Sequence, residues 1–165
     1  MAARMPARVF IGVGSNLANP VMQVRQALHT LVWLPFTRLQ AQSSLYRTPP
    51  MGPAWQPDFV NAVAELRTQL TPRVLLAALQ RIEARQGRSR KRLRWGPRAL
   101  DLDILLWGAR RLKLPGLTVP HPGIAKRAFV LCPLAELAPE LHVPGYGSIE
   151  QMLAGVDSGT LVRIR

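Results

Sequence analysis

The chain has 165 residues; 48% are hydrophobic, and 22 lysines and arginines against 9 aspartates and glutamates give a formal charge of +13. Hydrophobic residues spread along the whole length exclude a disordered chain and suffice for one compact domain over 1–165. No apolar run nears the roughly 18 residues of a membrane-spanning helix, and the one cysteine, Cys132, reads as a buried structural thiol, so a cytoplasmic protein is expected.

An excess of positive charge on this scale points to a partner made of phosphate, whether nucleic acid, anionic membrane or nucleotide. Apart from Lys91, Lys113 and Lys126 the cations are arginines. Their planar forks suit bidentate phosphate contacts, although base composition of a genome also inflates arginine usage.

In chain order, Arg8 to Gly14 reads as a buried first strand ending in glycines. Its apolar core, Val9 to Val13, is too short for a signal peptide. Asn19-Pro20 is a helix start, and Val21, Val24, Leu28 and Leu31 recur at helical spacing up to about Trp33. Thr37 to Tyr46 alternates as a second strand. Thr48 to Pro57, with five prolines or glycines, is an irregular loop. Phe59 to Leu66 is a third strand, with Phe59, Asn61 and Val63 on one side and Val60, Ala62 and Ala64 on the other. A second helix starts at Thr71-Pro72, ends near Gly87 and turns Leu75, Leu79 and Ile82 to the core. A basic loop follows, then a strong strand from Leu100 to Trp107. Two short helices are expected beyond it, one after His121 and one near Ser148 to Leu153. The order β-α-β-β-α-β predicts an α/β (α+β) sandwich of ferredoxin-like type, an antiparallel sheet with helices on one face.

The fourth strand carries the chemistry. Side chains alternate along a strand, so Asp101 and Asp103 share one face while Leu100, Leu102 and Ile104 take the other. Two carboxylates about 7 Å apart by strand rise suit a hard cation. Magnesium takes one or two carboxylates and completes its shell with water and substrate phosphates. A solvent-facing strand edge would also tolerate two aspartates, but it leaves the neighbouring arginines unexplained. Arg88, Arg90, Lys91, Arg92, Arg94 and Arg98 feed directly into the strand, and acids are too scarce in the chain to pair most of them. A polyphosphate held between Mg²⁺ and this loop satisfies both sets of charge, the arrangement phosphoryl transfer needs. There is no Gly-x-x-x-x-Gly-Lys-Ser/Thr, so the phosphate cradle is built from side chains and not from a P-loop.

Arg94-Trp95-Gly96-Pro97-Arg98-Ala99-Leu100-Asp101-Leu102-Asp103-Ile104-Leu105 resembles the signature of the 6-hydroxymethyl-7,8-dihydropterin pyrophosphokinase family of folate biosynthesis. Gly14-Ser15-Asn16-Leu17, Ser44 to Pro50, Gln56 to Ala62 and Leu117 to His121 match it in order and spacing, so the resemblance spans about 9–142. It implies a ferredoxin-like fold and attack of a pterin hydroxymethyl oxygen on the β-phosphorus of ATP, releasing AMP. It implies two Mg²⁺ ions on Asp101 and Asp103, with Arg88 and Arg98 as the catalytic arginines. For ATP it nominates Gln80, Glu83, Arg94, Ile104, Thr118, His121 and Arg127. For the pterin it nominates Thr48, Pro50, Met51, Phe59, Asn61, Trp95 and Phe129, where two aromatic faces and an amide suit a flat heteroaromatic ring. Without the resemblance, both phenylalanines read as core. The chain departs from the family at Phe59, often tyrosine, at Pro122, often aromatic, and at Gly116, often basic. The partners implied are small-molecule substrates, not nucleic acid or membrane, with a monomer expected.

Two other classes share single features with the chain. Nucleotidyltransferases also combine Gly-Ser with Asp-x-Asp, but most of the domain separates Gly14-Ser15 from Asp101 here. A ferredoxin-like RNA-binding module calls for aromatics in an RNP-type run, and none is evident.

Overall fold

The structure is a computed structural model that describes residues 4–87 and 97–165. Strand β1 (Ala7–Ser15) lies at the centre of an antiparallel sheet, between β4 (Phe59–Thr68) and β5 (Asp101–Trp107). Beyond β4, two short strands share its free edge: β2 (Thr37–Gln42) pairs with its second half and β3 (Leu45–Thr48) with its first. The C-terminal strand β10 (Val162–Ile164) pairs with β3.

The expected second strand is therefore two strands. Gln42 pairs with Ala64 and Tyr46 with Asn61, so four steps on one side face three on the other. The extra residue falls at Ser43-Ser44, where Val63 N–H donates to Ser43 Oγ (2.9 Å) in place of a regular ladder bond.

Helices α1 (Pro20–Leu31) and α2 (Pro72–Arg85) start where the sequence signals them. Asn19 accepts from Met22 N–H and Thr71 Oγ1 from Val74 N–H, each ahead of a first-turn proline. Both cover one face of the sheet. Val24, Leu28 and Leu31 meet Leu75, Leu79 and Ile82 over Val9, Ile11 and Val13 of β1 and Val60, Ala62, Ala64 and Leu66 of β4. The core on the opposite face is separate. There Phe10, Val63, Leu105 and Leu106 pack under α3 (Ala128–Leu137), reached through a 3-10 turn at Ile124–Lys126. Helix α4 (Ile149–Ala154) extends this core with Ile149 and Met152; its N-terminus is closed by a reciprocal Ser148–Gln151 capping box. Helices thus cover both faces, a correction to the one-sided sandwich expected. The helices expected after His121 and near Ser148 to Leu153 are α3 and α4; the face that α3 covers was not legible because this helix is apolar nearly all round and carries Pro133. Cys132, on α3, is half-buried and not fully enclosed.

Hairpin β6 (Leu112–Leu114) and β7 (Leu117–Val119) follows β5, and a small pair, β8 (His142–Val143) and β9 (Gly147–Ser148), precedes α4. Among the described residues no helix is long and apolar enough to cross a membrane.

Candidate active site

The α3 side of the sheet is not covered to its end. Toward the C-terminus of β1 the inward positions on that face are Gly12 and Gly14, and their missing side chains leave a cavity of about 260 Å³. The register fixes what borders it. Gly14 pairs with Asn61 on one side and Asp101 on the other; Gly12 pairs with Val63 and Asp103. A Cβ on Gly14 would come within 2.8 Å of Asn61 Oδ1, so glycine there allows the amide to lie over the strand.

Strand alternation puts Asp101 and Asp103 on the cavity wall and Leu100, Leu102 and Ile104 into the α1–α2 core. One further residue is inserted in β5 after Ile104, since Ile104 pairs with Ile11 and Leu106 with Phe10. The bulge turns both Leu105 and Leu106 toward α3, and the Leu105 carbonyl accepts from His121 N–H (2.9 Å). That bond brings the segment after β7 to the cavity rim. His121 Nδ1 accepts from Gly123 N–H (3.0 Å), which leaves the ring proton on Nε2. Burial is the main force pushing the His121 pKa down; Arg127 adds to it and Asp103 opposes, leaving a neutral ring at pH 7. The Arg127 guanidinium lies against Gly123 and over the Phe129 ring, 5.7 Å from its centroid.

Arg98 Nη1 donates to Asp101 Oδ1 at 3.0 Å, with both side chains about three-quarters covered. Thr48, Phe59, Asn61 and Phe129 also line the cavity, as does the exposed Met51. Asn61 is 6% exposed, and its Nδ2 has no hydrogen-bond partner among the described residues. A buried amide hydrogen of this kind costs about 1–3 kcal/mol unless a ligand satisfies it. The oxygen donor set of Asp101 and Asp103 fits magnesium, which needs no larger all-protein cluster; none of three or more acids, histidines or cysteines is found among the described residues.

The structure thus gathers Arg98, Asp101, Asp103, His121, Arg127, Thr48, Met51, Phe59, Asn61 and Phe129 around one cavity. Other candidates stand elsewhere. Ile104 has its side chain in the α1–α2 core, and Thr118 borders a different depression beside Arg111 and Lys113. Gln80 is exposed while Glu83, one turn on, is 2% exposed, and neither lines the cavity. At Pro49–Met51 the lining residues are Pro49 and Met51 rather than Pro50. Arg88, Arg94 and Trp95 lie outside the described residues.

Asn16 was legible only as part of a motif. Its side chain bonds the Gln56 side chain, the Pro57 carbonyl and the Arg98 amide. Partners so distant in sequence leave no local signal beyond a polar residue at a strand end.

Known proteins resemble the chain over this same ground. The family model for 7,8-dihydro-6-hydroxymethylpterin-pyrophosphokinase (HPPK) matches residues 10–139. The 2-amino-4-hydroxy-6-hydroxymethyldihydropteridine pyrophosphokinase of Pseudomonas aeruginosa is 55% identical over 150 residues, covering 91% of this chain and 92% of the relative. The Haemophilus influenzae protein of that name is 47% identical over 144 residues, 87% and 89% of the two chains. In fold, 94% of the chain superposes on the Plasmodium falciparum HPPK-DHPS structure with pteroate, at a TM-score of 0.72 and 13% identity, and it spans 43% of that longer chain. The match to the family model runs from the central strand through α3 and so takes in all the described walls of the cavity: the chain belongs to the 7,8-dihydro-6-hydroxymethylpterin-pyrophosphokinase family.

Proposed function

We propose that the protein transfers the pyrophosphoryl group of ATP to the hydroxymethyl group of 6-hydroxymethyl-7,8-dihydropterin, giving AMP and the pterin diphosphate, a step of folate biosynthesis. The observation that carries this is one cavity joining a carboxylate pair and Arg98 to a buried Asn61 amide whose Nδ2 has no partner among the described residues. In the transfer, the hydroxymethyl oxygen forms a bond to the β-phosphorus, the bond from that phosphorus to the α,β-bridging oxygen breaks, and the hydroxyl proton leaves to solvent. Asn61 Nδ2 donates to an acceptor on the pterin edge, while Phe59 and Phe129 supply faces for its ring. Arg98 and Arg127 meet the phosphates, and His121 Nε2–H is placed to donate to a phosphate or ribose oxygen. Asp101 and Asp103 would hold Mg²⁺, two ions in this reading, and the bound metal would supply neutralisation of phosphate charge and a lower pKa for the attacking hydroxyl. Arg98, which bonds Asp101 in the free protein, stands where it could also donate to a phosphate oxygen.

Arg88 acts with Arg98 on the transferring group; Gln80, Glu83, Arg94, Ile104 and Thr118 belong to the ATP side, and Pro50 and Trp95 to the pterin side. For Ile104 that contact is through the backbone, since its side chain is in the core. The fold reading is ferredoxin-like, supported by the antiparallel order β3-β4-β1-β5, with α1 and α2 in the two crossovers. We take 1–165 as a single domain, monomeric because its charge of +13 opposes self-association, and cytoplasmic, where ATP is available.

The test is direct. Incubated with ATP, Mg²⁺ and the pterin alcohol, the protein should yield AMP and a pterin carrying both phosphates; ADP or free pyrophosphate as the product would overturn the reading.

A further inference from the structure

We infer that Asn16 is a positioning residue for this transfer, holding the pterin-side loop and the Arg98 segment in register across the cavity. It sits just past the end of β1 and is 1% exposed. Both of its amide hydrogens are engaged, one with Gln56 Oε1 (2.9 Å) and one with the Pro57 carbonyl (3.0 Å). Its Oδ1 accepts from Arg98 N–H (2.7 Å), and its own backbone N–H donates to the Arg98 carbonyl (3.0 Å).

Asparagine beside a turn ordinarily bonds its own backbone two residues on. Here the partners are 40, 41 and 82 residues away. The side chain therefore does nothing for its own turn and joins two segments that have no sequence proximity. Pro57 lies two residues before Phe59, which lines the cavity, and Gln56 is itself 4% exposed. On the other side, Arg98 is fixed at its backbone by Asn16 while its guanidinium reaches Asp101. One amide thus sets the separation between an aromatic wall and a phosphate-binding arginine. In-line transfer depends on that separation, because a displacement of about 1 Å in a reacting pair costs on the order of 10²-fold in rate.

The inference rests on the pyrophosphokinase reading, and its two arms can be cut apart. Gln56→Met removes one pterin-side bond and leaves the Arg98 bond. Asn16→Asp keeps an oxygen acceptor for Arg98 N–H but loses both donors, to Gln56 Oε1 and to the Pro57 carbonyl. Asn16→Ala removes all three side-chain bonds. For each, kcat, KM for both substrates and the thermal midpoint are measured. Gln56→Met and Asn16→Asp should raise the pterin KM about tenfold and leave kcat within about threefold; Asn16→Ala should in addition lower kcat by on the order of 10²-fold. Gln56→Met introduced into Asn16→Ala should add nothing further to the pterin KM. The inference falls if folded Asn16→Ala keeps kcat and both KM values within twofold of the parent. It falls equally if the variants lose only thermal stability, with unchanged constants per folded molecule. Should the Asn16 variants not fold, Gln56→Met decides, and an unchanged pterin KM there overturns the role. An unsubstituted protein that makes no pterin diphosphate would sink the function reading instead, which keeps the two failures distinct.

Discussion

Asn61 keeps a buried donor that has no hydrogen-bond partner among the described residues, in the lining of the cavity. Local violations of this kind gather at functional sites, where a ligand supplies the missing partner. Replacing it with leucine, of nearly the same shape, separates the two roles. Asn61→Leu should leave the thermal midpoint of the free protein unchanged or raised, while weakening pterin binding by about 10- to 100-fold, the worth of a lost buried hydrogen bond; calorimetric titration reads the second. Asp101→Asn and Asp103→Asn keep volume and remove charge. Each should lower kcat by at least about 10²-fold without loss of fold, because the substrate's charge then has no metal fixed opposite it. Full activity in either would remove the metal assignment. The sequence showed both carboxylates because strand alternation is a local property, and it showed Asn61 only through family resemblance, since a lone asparagine in an apolar strand has no chemistry of its own.

At the scale of elements, the cavity is made by what β1 lacks. Gly12 and Gly14 are spaced two apart on the α3 face, and each is flanked in register by a functional side chain. Gly14→Ala would drive a methyl group to 2.8 Å from Asn61 Oδ1. The amide must turn away, so the pterin KM should rise about tenfold with kcat and thermal midpoint little changed. An unaltered KM would mean that Asn61 does not depend on the glycine for its position. The bulge after Ile104 is the second device, for it exposes the Leu105 carbonyl that docks His121. None of the strand bulges was legible in the sequence. An inserted residue is defined by its partner strand, and a single strand read alone continues to alternate.

For the molecule as a whole, the third layer is fastened by Glu136 on α3. Its carboxylate accepts from Ser44 N–H and Oγ, from Tyr46 Oη (2.8 Å) and from Arg163 Nη2 (3.2 Å), tying α3 to β3 and to the C-terminal β10. Burial alone would raise its pKa, but the bonds from Ser44 and Tyr46, aided by Arg163, outweigh burial and hold the carboxyl below its usual range. In turn, burial and then the bond to Glu136 push the Tyr46 phenol up to about 12. A carboxyl with a lower pKa folded than unfolded contributes stability above its unfolded pKa and loses it as pH falls through the folded value. Glu136→Gln should therefore cost about 1–2 kcal/mol near neutral pH, and the gap to the parent should close on acidification through the carboxylate range. Denaturant unfolding followed across that range reads it; a gap that persists at low pH would show that packing, not charge, holds the layer.

The sequence by itself determined the inner frame: β1, α1, β4, α2 and β5, their faces, their helix caps, and the carboxylate pair on one of those faces. Periodicity and capping are short-range properties, so they can be read without a partner. Only the tertiary structure decided the covering of the second face by α3, the strand bulges, and the brace from Asn16 to Gln56, Pro57 and Arg98. Each depends on which distant segments become neighbours. Hence the carboxylate pair was visible at the start, whereas the cavity that makes it a site was not: that cavity exists because two glycines, an amide and an arginine from separate segments converge on one end of the sheet.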